Sequence, residues 1–319
     1  MPAAFLTNIL FWSGVAIGGV VFAALLEVMG GEWSGPLRVT AERFRWFLPF
    51  SFLCVVILMW RSDAVYPWAQ QSLARPWFTA RFVALRVDVA FAAVYVAAFA
   101  FCRASERSRA AATARSSMAA AVLFLVVYAV AFSLIAVDVI MSLEPRWTST
   151  LFPAYVFTGN VYGGIAGVAA LAAWNIGMPR AAMSPERSRD MANVLVAAAL
   201  FWVYLFWSQF LVIWYGNVTA EVGYMMARLN ALRALSWTVL VMCCAVPSIV
   251  FVPRWGKRVA AIRVVAPFIL VGMWLERWIL VAPDVPARAP VRTVLITAAF
   301  AAVFVFAVRP VIGKQQSAV

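Results

Sequence analysis

A chain of 319 residues that is 65% hydrophobic and 12% charged, with a mean hydropathy of +0.90, is not a soluble globular domain, in which about 25% of residues carry charge. Its formal charge of +13 does not point to nucleic acid, because the basic residues sit in short loops between apolar runs rather than in one block or on one face. The sequence has no histidine, which excludes a histidine-ligated haem, a histidine-containing zinc site and any mechanism that rests on imidazole.

Apolar windows of about 19 residues predict nine transmembrane helices, near 5–28, 46–60, 82–102, 118–141, 151–174, 191–215, 234–252, 260–281 and 291–309. The expected fold class is all-α: a polytopic helical membrane protein, with residues 1–319 as a single integral membrane domain. A cleaved signal peptide does not explain runs spread along the whole length, and the first run lacks a basic n-region, so it reads as a retained helix. Gly14, Gly18 and Gly19 in the first run, and Gly159, Gly163, Gly164 and Gly167 in the fifth, read as small-residue faces where two helices approach closely. Cys54, Cys102, Cys243 and Cys244 lie in or at the edges of apolar runs without metal-site spacing and read as packing residues.

Of the 26 Lys and Arg, 16 fall in the connections after the first, third, fifth, seventh and ninth runs. The positive-inside rule then puts the N-terminus outside and the C-terminus in the cytoplasm of a bacterial inner membrane. Glu27 reads as an ordinary headgroup-level acid at the cytoplasmic end of the first helix, and the Arg- and Ser-rich stretch from Cys102 to Met118 as a loop that meets solvent and anionic lipid.

Four polar groups fall in the outer third of the predicted spans: Asp88, Asp138, Gln209 and Glu276. Arg81 and Arg86 stand near Asp88, and Arg277 stands beside Glu276, so those acids have local partners. Asp138 has no basic residue on the preceding helix from Ala119, which leaves Arg146, Gln209 and Arg228 as its candidate partners. An ionised acid in hydrocarbon costs about 2.5 to 3.5 kcal/mol on insertion scales, so Asp138 is the most pointed functional candidate in the chain and suits proton transfer. Pro145 ends the helix that carries it, and Trp147 suits headgroup depth. The aromatic run Phe201 to Tyr215, with Trp202, Tyr204, Phe206, Trp207, Phe210, Trp214 and Tyr215, would suit a flat ring, and equally core packing or an interface belt.

The phrase from Asp138 through Met141-Ser142-Leu143-Glu144-Pro145, Trp147, Ser149-Thr150, Phe152, Tyr155 and Phe157 resembles the NrfD-like (polysulfide reductase membrane subunit) family. Within that family it is most similar to the second quinone-binding-type membrane subunit of alternative complex III, the bacterial quinol:electron-acceptor oxidoreductase. Trp33-Ser34 with Arg38 and Glu42, Trp77-Phe78 with Arg81, and Phe201 through Ser208-Gln209-Phe210 to Trp214-Tyr215-Gly216-Asn217 carry the same resemblance. It implies two four-helix bundles plus a flanking helix. It also implies a haem-free subunit, not catalytic alone, that contributes to a quinol-oxidising module and a proton path. No cofactor is then held in this chain; quinol (menaquinol or ubiquinol) is the implied substrate, and haem and iron–sulfur clusters reside on partner subunits. The implied partners are a homologous NrfD-like membrane subunit, a periplasmic iron–sulfur subunit, cytochrome c subunits and lipids, with no nucleic acid. The positions that match the family's motifs are Asp138, Glu144, Trp147, Ser149, Tyr155, Gln209, Trp214, Asn217, Glu221 and Arg228. With Asp88 and Glu276 added from the residue reading, Asp138, Glu144, Trp147, Gln209, Trp214, Glu221 and Arg228 make the candidate quinone and proton-path set. The family usually has a pair of acids where Val218-Thr219-Ala220-Glu221 stands, and a histidine near Cys243-Cys244. A scaffold subunit of that complex and a stand-alone transporter are the alternatives. Transporters of that kind show repeat symmetry with helices broken at midplane, whereas here the polar groups gather near one face.

Overall fold

The computed structural model describes residues 2–30, 35–70, 79–111, 115–144, 147–176, 183–285 and 290–309. Within them the chain folds as α1 (Pro2–Val28), α2 (Gly35–Arg43), α3 (Leu48–Trp60), α4 (Pro67–Gln70), α5 (Ala80–Ala111), α6 (Arg115–Ile135), α7 (Phe152–Ala173), α8 (Pro185–Gly216), α9 (Thr219–Ala231), α10 (Arg233–Leu240), α11 (Val246–Phe251), α12 (Val259–Val281) and α13 (Pro290–Val308). No strand occurs among the described residues. Nine helical stretches there are long and apolar enough to cross a membrane, at Pro2–Val28, Gly35–Trp60, Ala80–Ala111, Ser117–Leu143, Phe152–Ala173, Pro185–Gly216, Arg233–Phe251, Val259–Val281 and Val291–Val308. The protein is an all-α, multi-pass membrane protein. Helices satisfy this requirement because hydrocarbon offers no partner for a free N–H or C=O.

The helices form two rings of four. In the first, α1, α3, α5 and α6 each pack on the next; in the second, α7, α8, α10–α11 and α12 do the same. The rings join along α1 and α7, and α13 lies against α1. This join is why α1 and α7 are buried along most of their length while the other spans keep one bare face. A Cβ on Gly18 would land on the main-chain carbonyl of Asn160, and one on Gly164 would land on the backbone of Gly18 and Gly19. The two backbones therefore touch, as the small-residue pattern predicts.

Local signals set the helix ends that matter for the site. Ser184 caps α8 by accepting the Arg187 N–H at 3.3 Å, with Pro185 as the first helical residue. At the other end Asn217 adopts the left-handed conformation, φ 47°, and donates its N–H to Ile213 O at 3.0 Å. Asparagine tolerates this conformation, and the turn it makes sends the chain directly into α9.

Two helices contain a π-helical turn, at Ala136–Ile140 and Val241–Ala245. A wide turn leaves backbone groups without their regular partners, and side chains supply new ones. Tyr66 donates to Val139 O at 3.1 Å and Ser142 to Asp138 O at 2.5 Å, while Tyr162 donates to Cys243 O at 2.7 Å.

The face opposite the start of α1 differs from its sequence reading. α5 continues to Ala111, so Glu106 and Arg109 are helical rather than part of a solvated loop. Arg109 clasps the buried Glu42 carboxylate with both nitrogens, at 2.7 and 2.6 Å, and Ser105 adds a third bond at 2.7 Å. Arg45 pairs with Glu106, and Arg38 pairs with Glu27, to which Ser117 also donates. These charges meet because α2 folds back against the bundle, which brings Arg38 and Glu42 to the ends of α1 and α5.

Candidate functional site

At the face where α1 begins, the two bundles each carry an acid near the end of their fourth helix, Asp138 and Glu276. Their surroundings differ.

Asp138 lies in the first π turn, 2% exposed, and Arg86 of α5 grips it with Nε at 2.6 Å and Nη2 at 2.7 Å. The partner is thus on α5, 52 residues away, and not Gln209 or Arg228. Arg146 lies outside the described residues, as do Trp33, Ser34, Trp77 and Phe78 of the family-like phrases. This pairing also removes Arg86 from Asp88: Asp88 is half-buried on α5 and its Oδ1 has no hydrogen-bond partner among the described residues. A bidentate guanidinium–carboxylate pair is a strong, charge-assisted contact, and Arg86 also rests on the Phe82 ring at 4.9 Å.

Glu276 lies on α12, 4% exposed, beside the buried Arg277. Arg277 does not simply neutralise it. Its Nη2 is committed to α7, donating to Val156 O and to Asn160 Oδ1, both at 3.1 Å, while Nη1 donates to Glu276 Oε1 at 3.3 Å. Glu276 Oε2 lies 3.1 Å from the same nitrogen but off its N–H direction, and accepts no hydrogen bond among the described residues.

Glu276 lines a cavity of about 120 Å³ between α7, α8, α9, α10 and α12. Tyr155 and Trp202 form a tilted pair with ring centroids 5.7 Å apart, and Trp202 stacks on Phe206 at 6.2 Å. These aromatic walls carry only a few polar groups: Gln209, Arg228, Ser236 and Glu276. Among the lining residues, Trp202 Nε1, Arg228 Nε and Glu276 Oε2 have no hydrogen-bond partner among the described residues. Two donors and one acceptor are thus buried in the wall of one cavity without a partner, a state that costs about 1–3 kcal/mol per atom.

The cavity is roofed by α9. Tyr224 stacks flat on Trp147, centroids 3.7 Å apart and planes 2° apart, and the Arg228 guanidinium lies 3.5 Å from the Tyr224 ring. Two layers this close must occupy opposite faces of the ring, so Trp147, Tyr224 and Arg228 form a three-layer stack. Arg228 then donates to Leu280 O at 3.2 Å and pairs with Asp284 at the end of α12. Burial raises the Asp284 carboxyl above its ordinary range, opposed by the Arg228 guanidinium; burial likewise raises the Tyr224 hydroxyl. Glu144 is close enough to act electrostatically on both.

Of the residues singled out from the sequence, Gln209, Arg228 and Glu276 come together at the cavity, and Trp147 holds its roof. Glu144 stands beside that roof, and Glu221 lies half-buried in the first turn of α9. Trp214 points outward, 66% exposed, and Asp138 and Asp88 belong to the first bundle. The sequence reading missed Arg86 as the partner of Asp138, and Tyr224 and Asp284 as parts of the roof. The spacing of Tyr224 and Arg228, one helical turn apart, was a usable signal; the other pairings have no local trace. Among the described residues no three cysteine, aspartate or glutamate side chains converge as metal ligands. No protein-family model matches the chain, and no curated protein matches it.

Proposed function

We propose that this chain is a haem-free membrane subunit of a respiratory quinol:electron-acceptor oxidoreductase of the alternative complex III kind, and that a quinol occupies the cavity beneath α9. What supports the reading is the lining of the cavity: it is walled by Tyr155, Trp202, Phe206 and Phe210, with Gln209, Arg228 and Glu276 among its few polar residues. A flat ring with one oxygen at each end matches walls that stack and polar groups that are few. The charge asymmetry of the connections supports a periplasmic orientation of this face in the bacterial inner membrane, where quinol protons leave. Electrons then pass to iron–sulfur and haem groups of a periplasmic iron–sulfur subunit and cytochrome c subunits, beside a homologous NrfD-like membrane subunit.

The test is photolabelling of the native membrane complex with an azido-quinone. Labels on α8, α9 or α12 peptides, suppressed by excess unlabelled quinone, are the expected result. Labelling confined to another subunit overturns the quinol reading and leaves a scaffold role.

A further inference from the structure

We infer that Glu276 takes the proton from the hydroxyl of the bound quinol, and that the first bundle holds the same position closed with an arginine. The inference rests on the quinol reading of the cavity and adds to it the residue that performs the proton step.

The four helices of the two bundles succeed one another in the same order, and α1 and α7, the first of each, pack together. Asp138 and Glu276 both lie about one and a half turns before the end of the fourth span. In the first bundle the third helix, α5, sends Arg86 into that position, and both carboxylate oxygens of Asp138 are taken. In the second bundle the third helix presents Ser236, Val239 and Leu240 to the cavity, none of them charged. Where the first bundle has a guanidinium, the second has space.

The two carboxylates therefore differ in what they can accept. A bidentate guanidinium takes up one acceptor direction on each oxygen of a carboxylate and holds it as an ion pair. Glu276 accepts one hydrogen bond from Arg277, at Oε1, with the Tyr155 hydroxyl close to its carboxylate, and Arg277 is itself fixed to Val156 O and Asn160 Oδ1 on α7. The other oxygen, Oε2, lies 3.1 Å from Arg277 Nη1 and accepts no hydrogen bond among the described residues. Arg277 is thus a positioning residue, and Glu276 the group that meets the substrate. The remaining titratable or charged groups about Glu276 are Tyr155 of α7, Tyr224 and Arg228 of α9 and Cys243 of the second π turn. Gln209 of α8 and Ser236 of α10 are uncharged.

The step balances without an oxidant. The phenolic O–H of the quinol breaks, its proton goes to the Glu276 carboxylate, and the products are the quinol monoanion and a neutral Glu276 carboxylic acid. No electron moves in this step; the anion is the species that later gives electrons to a one-electron acceptor on a partner subunit. Trp202 Nε1 and Arg228 Nε are donors without partners among the described residues, at the cavity where the anionic oxygen would form.

The experiment uses the intact complex in native membranes, with Glu276→Gln and Glu276→Asp, and reads quinol oxidation against pH together with binding of a non-oxidisable quinone analogue. Glu276→Gln keeps analogue affinity within a few fold, lowers turnover about 100- to 10,000-fold and removes the acid limb of the pH profile. Glu276→Asp keeps the limb and restores part of the turnover, which a merely structural carboxylate would not require. Analogue binding at the cavity with an unchanged acid limb in Glu276→Gln overturns this inference alone. Failure of the analogue to bind the wild-type cavity overturns the quinol reading with it. If Glu276→Gln does not assemble, the Glu276→Asp profile decides: an acid limb unmoved in position and turnover overturns the assignment.

Discussion

Arg86 donates two hydrogen bonds to Asp138, at 2.6 and 2.7 Å, from the helix that precedes it in the first bundle. Removal of one member of a buried ion pair leaves the other charge without compensation, at a cost of about 3–5 kcal/mol, whereas replacing both by apolar side chains can be neutral. Arg86→Ala is expected to lower the thermal midpoint of the detergent-solubilised protein sharply, and Arg86→Met with Asp138→Leu to restore much of it. Equal loss in the single and double variants would show that the pair does not carry the stability of this corner.

The roof of the cavity depends on an aromatic contact. With Tyr224 lying flat on Trp147, Trp147→Ala is expected to cost about 3–5 kcal/mol as a large-to-small core change, and to free α9 first. Hydrogen exchange should rise at Thr219–Ala231 before it rises in α8 or α12. A uniform rise across all three helices would mean that Trp147 supports the bundle rather than its roof.

Asp284 gives that roof a pH dependence. Because burial raises its carboxyl above the ordinary value and Arg228 only opposes this, the folded protein takes up the proton at a higher pH than the unfolded chain. The resulting stabilisation is complete below the unfolded value, about 4, and is lost as pH rises through the raised folded value. Wild type should therefore gain stability relative to Asp284→Asn as pH is lowered from neutral toward that range. A difference that stays flat with pH, measured by thermal unfolding, contradicts the assignment.

Two glycines test whether close approach or chain freedom is at stake. A Cβ at Gly18 overlaps the Asn160 carbonyl, so Gly18→Ala is expected to cost about 1–3 kcal/mol or more by overpacking and to reduce folded yield. At Gly223 in α9 a Cβ meets nothing within 4 Å, so Gly223→Ala should stabilise by about 0.5–1 kcal/mol through helix propensity. Similar losses at both positions would overturn the distinction.

The sequence by itself determined the class and the membrane architecture. Nine apolar runs separated by charged connections read as nine hydrogen-bonded helices in hydrocarbon, and the glycine spacing marked α1 and α7 as faces of close approach, while only the packing shows that these two faces meet each other. It also supplied Gln209 and Glu276, since polar groups in an apolar run are costly and therefore visible, and Trp147 and Arg228 from the family-like phrases in the connections. Which of them act together was decided only by tertiary structure. Hydropathy is a property of each run alone, whereas the partner of a buried charge depends on which helix faces it: Arg86 stands within reach of Asp88 in the sequence, yet its guanidinium crosses to Asp138 on the neighbouring helix. The same packing set Glu276 in the wall of a cavity with Oε2 accepting no hydrogen bond among the described residues, because α10 turns uncharged side chains where α5 sends an arginine.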